Sequence, residues 1–375
     1  MTETVVAGDS HVLVVSLRKS GTHLIGEVMK ALGYAPFGAV RASGDVEFAD
    51  PAQVRRLLEV AYGSAEAGRL LGGHDRAATA AAFEAVVAAL HKVWAIRLGA
   101  PTPLSLPGVP GVDAGLVGRL LCAPEAADFG LLPGRCCWFV HQLDLTAADP
   151  AFLNTWLDTG RPRIVFNYRS LPDILVSTIN FLVRDASLAR PDPVGTFPDH
   201  RVYRDILRSL PDMDARLQLA LTDPGFPGME TVRRSLWLLR HPAVCKVSFE
   251  ELIGPHGGGT GEAQQAAVAR IADFLGNHAV HPGTIAERIF NPDSFTFHRG
   301  RTGTWREHFG PHHEELLQRN YGDVACAYGS LPPGAPGRPC HSYGSTQASP
   351  SSDATRPPGR SGDSVSNGPP NSPRS

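Results

Sequence analysis

Lys19-Ser20-Gly21-Thr22 is the part of this chain where residue type and spacing speak most directly of chemistry. An apolar run, His11–Leu17, leads straight into the turn, and a helical pattern leaves it. Backbone N–H groups at a glycine turn and a helix start point at a bound phosphate or sulfate, and a lysine beside them adds a point charge. The turn lacks the G-x-x-x-x-G-K-[ST] spacing of nucleoside-triphosphate loops, which argues against an ATPase.

Two further segments share this character. In Ile164–Phe181 an apolar strand delivers Arg169 at its carboxyl end, and Ser177 follows eight positions later in a helical pattern. In Phe297–Phe309 basic residues alternate with glycines, as His298-Arg299-Gly300-Arg301-Thr302-Gly303-Thr304-Trp305-Arg306. Arginine there is a planar donor able to hold a phosphate through two parallel hydrogen bonds.

Taken in order, the three segments resemble the sulfotransferases that use 3′-phosphoadenosine 5′-phosphosulfate. The first is similar to their phosphosulfate loop, P-K-S-G-T-T; the second to R-[DN]-P-x-D-x-x-x-S, with Pro172 one place late but Asp173 and Ser177 in register. The third is similar to R-K-G-x-x-G-D-W-[KR]-x-x-[FL], with Thr304 in place of the aspartate. Val247–Leu252 and Tyr321-Gly322-Asp323 are smaller echoes. The resemblance spans residues 11–330 and is weak over Gly33–Arg135.

This resemblance implies a phosphosulfate donor, adenosine 3′,5′-bisphosphate as product, and no metal. Arg18, Lys19, Ser20, Gly21, Thr22 and His23 would hold the 5′-phosphosulfate, with Lys19 at the bridging oxygen. Arg169 and Ser177 would hold the 3′-phosphate, Arg299 and Gly300 would close over it, and Phe249 would offer an apolar face to adenine. His23 stands where many members have threonine and Leu24 where many have tryptophan. Lys19, Ser177 and a general base would form the catalytic set. An acceptor hydroxyl is a poor nucleophile, so a base within hydrogen-bond reach is needed. His141, after the apolar run Cys136–Val140, occupies a position similar to the family's histidine; Asp144 and Asp75 are carboxylate alternatives.

The elements that must position these residues read as an α/β protein. Strands are predicted at His11–Leu17, Cys136–Val140, Arg163–Asn167 and Ala243–Ser248, and helices at Gly21–Leu32, Asp75–Leu98, Pro172–Val183 and Met229–Arg240. Continuous apolar strands separated by helices imply a central parallel sheet covered on both faces, with ligands at the carboxyl ends of the strands. With the resemblance, the expected fold is the P-loop-like sulfotransferase fold, as a single domain over 11–330. Residues 33–135 are expected to be an acceptor-binding or lid insertion, 1–10 a flexible N-terminus, and 331–375 a disordered Pro/Gly/Ser-rich tail.

Composition bounds the rest. A net charge of −2 gives no global electrostatic case for nucleic acid or an anionic membrane. Lysine occurs only at positions 19, 30, 92 and 246 amid abundant Arg, Ala, Gly and Pro, a GC-rich bias of bacterial kind. The six cysteines show no C-x-x-C spacing, no apolar run reaches a membrane span, and no leader pattern opens the chain; a cytoplasmic location is expected. The expected acceptor is a small-molecule hydroxyl, on a natural product of secondary metabolism, a lipid or a glycan. The alternatives are a P-loop kinase or other phosphoryl transferase, and a non-catalytic nucleotide-binding protein of the same fold. Nothing in the sequence fixes the oligomeric state.

Overall fold

The computed structural model describes residues 11–38, 51–73, 75–99, 111–131, 135–184, 198–290 and 300–330. All of them fall within one compact unit, Met1–Cys340. Residues 1–10, the tail at 331–375 and Arg299 lie outside the described residues.

Five strands, β1 (His11–Ser16), β2 (Ala35–Gly38), β3 (Cys136–Val140), β4 (Arg163–Tyr168) and β5 (Val244–Ser248), form one sheet in the order β2-β3-β1-β4-β5. Every pairing is parallel. Successive residues of β1 serve opposite faces, as a period of two demands: Val12 and Val14 join one buried cluster, Leu13 and Val15 the other. Helices cover both faces, which is why these strands carry apolar residues without alternation.

The connection from β1 runs to the β2 side, whereas β3 is followed by β4 on the other side of β1. The carboxyl ends around β1 therefore border a topological switch point, where α/β sheets bind ligands. Register brings those ends level: Val15 pairs with Val140, Ser16 with Asn167, and Tyr168 with Ser248. The residues that leave the sheet there are Leu17–Gly21, His141, Arg169 and Phe249.

Three elements differ from the sequence reading. Ala35–Gly38 forms edge strand β2 although it is short and contains a proline; Pro36 is tolerated because an edge position spares its missing N–H. The predicted helix 229–240 is two helices, Met229–Arg234 and Leu236–Arg240, parted at Ser235, whose ψ of 0° lies in the bridge region. The described parts of 33–135 pack into the core of the protein. They supply β2 and the helices Pro51–Tyr62, Ser64–Gly72, Arg76–Arg97 and Ala114–Cys122, and Leu57, Leu58, Leu90 and Trp94 share a core with Leu13 and Val15. Among the described residues, Arg76–Arg97 is the one helix long and apolar enough to cross a bilayer. Its Phe83, Val86, Val93 and Trp94 are buried against the rest of the protein.

Candidate functional site

The chain leaves β1 through a turn that only a particular backbone can make. Leu17 N–H still bonds the Asn167 carbonyl (3.1 Å), so strand pairing persists one residue past β1. Lys19 and Gly21 then both adopt left-handed conformations, with φ of 67° and 84°. A positive φ is uncommon for lysine and marks a site where the surroundings over-determine the backbone. At Gly21 the requirement is also steric, since a Cβ would stand 2.5 Å from Cδ2 of Phe249. The helix Thr22–Ala31 begins at Gly21 with no side-chain cap, leaving its first-turn N–H groups for water or an anion.

The floor of this turn is a hydroxyl–amide network. Ser16 Oγ lies 2.9 Å from both Asn167 Oδ1 and Thr22 Oγ1, and Ser20 Oγ lies 2.5 Å from the Leu17 carbonyl and 3.1 Å from Asn167 Oδ1. Ser20 is thus a structural member of the turn, its hydroxyl spent on the backbone. Lys19 Nζ sits 4.3 Å over the Phe181 ring. Burial, and then the charges of Arg184 and Arg169, lower its pKa to about 8. His23 is half-buried at the helix start, and burial lowers its pKa as well.

Arg169 ties the three sequence segments together. Its Nη1 donates to the Lys19 carbonyl (3.3 Å) and its Nη2 to the Arg301 carbonyl (2.7 Å), while its guanidinium lies 4.3 Å over the Phe249 ring. Nε is buried with no hydrogen-bond partner among the described residues, as is Nδ2 of neighbouring Asn167. An unpartnered buried donor on a cation fits a site built for an oxyanion. Phe249, buried between Gly21 and Arg169, serves here as the wall that spaces them.

Asp173 is the residue that sequence reasoning undervalued. Almost wholly buried, it accepts from Ser170 Oγ (2.9 Å), Gly303 N (2.9 Å), Thr304 Oγ1 (3.1 Å) and Trp305 N (3.3 Å), and pairs with Arg169 at 3.7 Å. It therefore pins the late glycine loop to the strand end that carries Arg169. The signal was its place four residues after Arg169, the spacing at which two helical side chains meet. Gly300 reaches the same loop base: a Cβ on Gly257 would strike its carbonyl oxygen, so the two backbones touch. Ser177 lies one turn beyond Asp173, half-buried, and its hydroxyl makes no hydrogen bond among the described residues.

His141 leaves β3 beside the turn. Its Nδ1 lies 2.9 Å from the Ser16 carbonyl, which can only accept, so Nδ1 carries the proton and Nε2 the lone pair. Burial, then the Arg18 charge, lowers its pKa to about 4, which keeps the ring neutral near pH 7. The carboxylate alternatives are committed elsewhere. Asp75 caps the helix Arg76–Arg97 through Ala77 N and Ala78 N. Asp144 is buried; burial would raise its pKa, but bonds from Thr146 and Arg234 outweigh this and hold it low, and both of its oxygens are already engaged.

Beyond Lys19 lies a small, partly open cavity. Its walls are mainly Leu17, Ile174, Phe181, Leu182 and Val232, with Arg18, Lys19, Thr178, Thr231 and His200 as polar points. None of the lining residues comes from 33–135. A separate cluster, Asp214, His312 and His313, brings three possible metal ligands within 4.8 Å. Both nitrogens of buried His313 are already engaged, Nδ1 by Gly310 N–H (3.1 Å) and Nε2 near the Asp214 carbonyl (3.2 Å), as befits a clip between two helices.

No family model and no curated protein matches this chain. Among solved structures, the chain is similar to mouse sulfotransferase SULT7A1 complexed with PAP, at 14% identity and a TM-score of 0.45, over 87% of this chain and 90% of that one. It is also similar to retinol dehydratase in complexes with androsterone or retinol and PAP, at 14% identity and TM-scores of 0.39, over 85% of this chain and 81–82% of those. The functional reading rests on the side chains described above.

Proposed function

We propose that this chain transfers a sulfuryl group from 3′-phosphoadenosine 5′-phosphosulfate to the hydroxyl of a small molecule. The observation that carries the reading is Arg169, hydrogen-bonded at once to the Lys19 turn and to the Gly300–Trp305 loop. It creates two anion positions in one cradle, one at the uncapped helix start and one at the guanidinium. A nucleotide with phosphates at two separated places matches that layout better than a linear triphosphate does.

In this reading Lys19, Gly21, Thr22 and His23 hold the phosphosulfate end, and Arg169, Ser177, Arg299 and Gly300 the second phosphate. The acceptor lies in the cavity at Lys19. Its oxygen forms a new bond to sulfur as the bond from sulfur to the bridging phosphate oxygen breaks. The hydroxyl proton passes to Nε2 of His141, whose lone pair is set by the Ser16 contact. Charge then builds on the departing phosphate beside Lys19, where a preorganised cation is most effective.

The test is mass spectrometry of a bacterial metabolite extract incubated with the protein and the phosphosulfate donor. The expected outcome is a product heavier by one SO₃ together with stoichiometric adenosine 3′,5′-bisphosphate. Donor left unconsumed across extracts, with the nucleotide bound, would favour a non-catalytic binding protein.

A further inference from the structure

The mechanism above leaves Asn167 unused, yet its side chain lies beneath the phosphosulfate turn. It pairs with Ser16 across the sheet, and Asn167, Ser16 and Ser20 are all fully buried. One end of its amide lies 2.9 Å from Ser16 Oγ and 3.1 Å from Ser20 Oγ. Three hydroxyls meet around it, each with a single proton to give. Ser20 spends its proton on the Leu17 carbonyl at 2.5 Å. Ser16 Oγ lies 2.9 Å from Thr22 Oγ1, and Thr22 Oγ1 makes no other hydrogen bond among the described residues.

Which end of the amide faces the serines decides where the remaining protons go. With the oxygen there, Ser16 must donate to it, Ser20 meets it with a lone pair, and Nδ2 stays buried without a partner. Thr22 must then donate back to Ser16, and a lone pair is all it offers at the helix start. With the nitrogen there, its two N–H groups donate to Ser16 and Ser20, Ser16 donates on to Thr22, and every contact holds one proton. What stays unmet is one carbonyl oxygen, a lesser fault than an orphaned buried N–H. The Thr22 hydroxyl proton is then free to leave the network at the uncapped helix start. Resting on the sulfotransferase reading, we propose that Asn167 is a positioning residue: its amide donates to Ser16 and Ser20, and so makes the Thr22 hydroxyl a donor to the 5′-phosphate. An ionised phosphate oxygen accepts, so a chain running the other way would set oxygen against oxygen.

Neutron diffraction from deuterated crystals of the unsubstituted protein reads the chain directly. Two deuterons should appear on the amide atom facing Ser16 and Ser20, and the Ser16 deuteron should lie on the line to Thr22. A bare oxygen facing the serines overturns the proposal. A double-substitution cycle, read by calorimetry of adenosine 3′,5′-bisphosphate, separates hydrogen-bond direction from packing. Thr22→Val should weaken binding about tenfold, and Asn167→Leu roughly five- to tenfold. In the Thr22→Val protein, Asn167→Leu should add no more than about twofold, because the hydroxyl it directs is gone. Penalties that multiply in the double variant would mean that Asn167 acts through the shape of the turn, and overturn the proposal. So would an Asn167→Leu protein that binds as tightly as the unsubstituted one. Should Asn167→Leu not fold, the neutron result decides by itself. Failure of the nucleotide to bind the unsubstituted protein, with the amide deuterons in place, would instead defeat the sulfotransferase reading.

Discussion

The cradle and the cavity meet at Lys19 and are built on opposite plans. The cradle is polar and over-determined: two left-handed residues in three, a glycine closed off by Phe249, and an arginine and an aspartate that each bind more than one segment. The cavity is mainly apolar and lined by residues from four separate stretches, 17–19, 174–182, 200 and 227–232. Rigid backbone geometry suits an invariant anion, whose oxygens are always spaced alike. Side-chain walls suit a ligand that differs from one enzyme to the next, because they change without disturbing the turn.

His141 sits beside the turn, against the Ser16 carbonyl, and in the proposed reaction takes the acceptor's proton, so removing it is the strongest way to probe the division. His141→Ala should lower kcat by roughly 10²–10⁴-fold while affinity for adenosine 3′,5′-bisphosphate stays within about twofold. Retained turnover would put proton transfer elsewhere. Equal loss of nucleotide affinity would mean that the cradle and the base are not separable.

Asp173→Ala attacks the cradle alone. Removing the carboxylate leaves buried Arg169 without its partner and frees the loop at Gly303–Trp305, a change worth about 3–5 kcal/mol in folding stability. Urea unfolding should show that loss, and calorimetry a marked fall in nucleotide affinity. If stability falls and nucleotide affinity does not, the late loop is not part of the cradle.

A gentler probe is pH. The pKa of Lys19 is lowered to about 8, so it is an ammonium below that value and increasingly a neutral amine above it. A neutral amine gives no charge to a phosphate. Nucleotide affinity should therefore fall as pH rises past about 8, and by a few-fold per unit at most, because a bound dianion pulls the pKa back up. His141, neutral above about pH 4, contributes no change across the same range. In Lys19→Arg the alkaline decline should vanish; its persistence would assign the decline to another group.

The contrast also explains what the sequence disclosed. The turn, Arg169 and the glycine loop are contiguous, and each needs residue types that backbone geometry or phosphate chemistry dictates, so they could be read in order along the chain. The parallel sheet was legible for the same reason, from unbroken apolar runs at β1, β3, β4 and β5. Edge strand β2 was not, because Ala-Pro-Phe-Gly carries neither length nor strand propensity and is held by its pairing to β3. Asp173 was seen only as a spacing, since three of its four backbone and hydroxyl donors come from the 303–305 loop that the fold brings to it. His200 carried no signal at all: nothing local distinguishes it among fifteen histidines, and its contact with Arg18 spans 182 positions. Asp144 and Asp75 could not be set aside from sequence, because only the fold shows both oxygens of Asp144 engaged and Asp75 at a helix cap.

The central claim is that the cradle recognises two separated phosphates, and calorimetry of adenosine 3′,5′-bisphosphate against ATP tests it most directly. The unsubstituted protein should bind the bisphosphate far more tightly than ATP. In Arg169→Ala that preference should collapse through weaker bisphosphate binding, by roughly 10- to 100-fold for a lost charge-assisted contact. Equal affinity for the two nucleotides in the unsubstituted protein, or a preference that survives in Arg169→Ala, would contradict it.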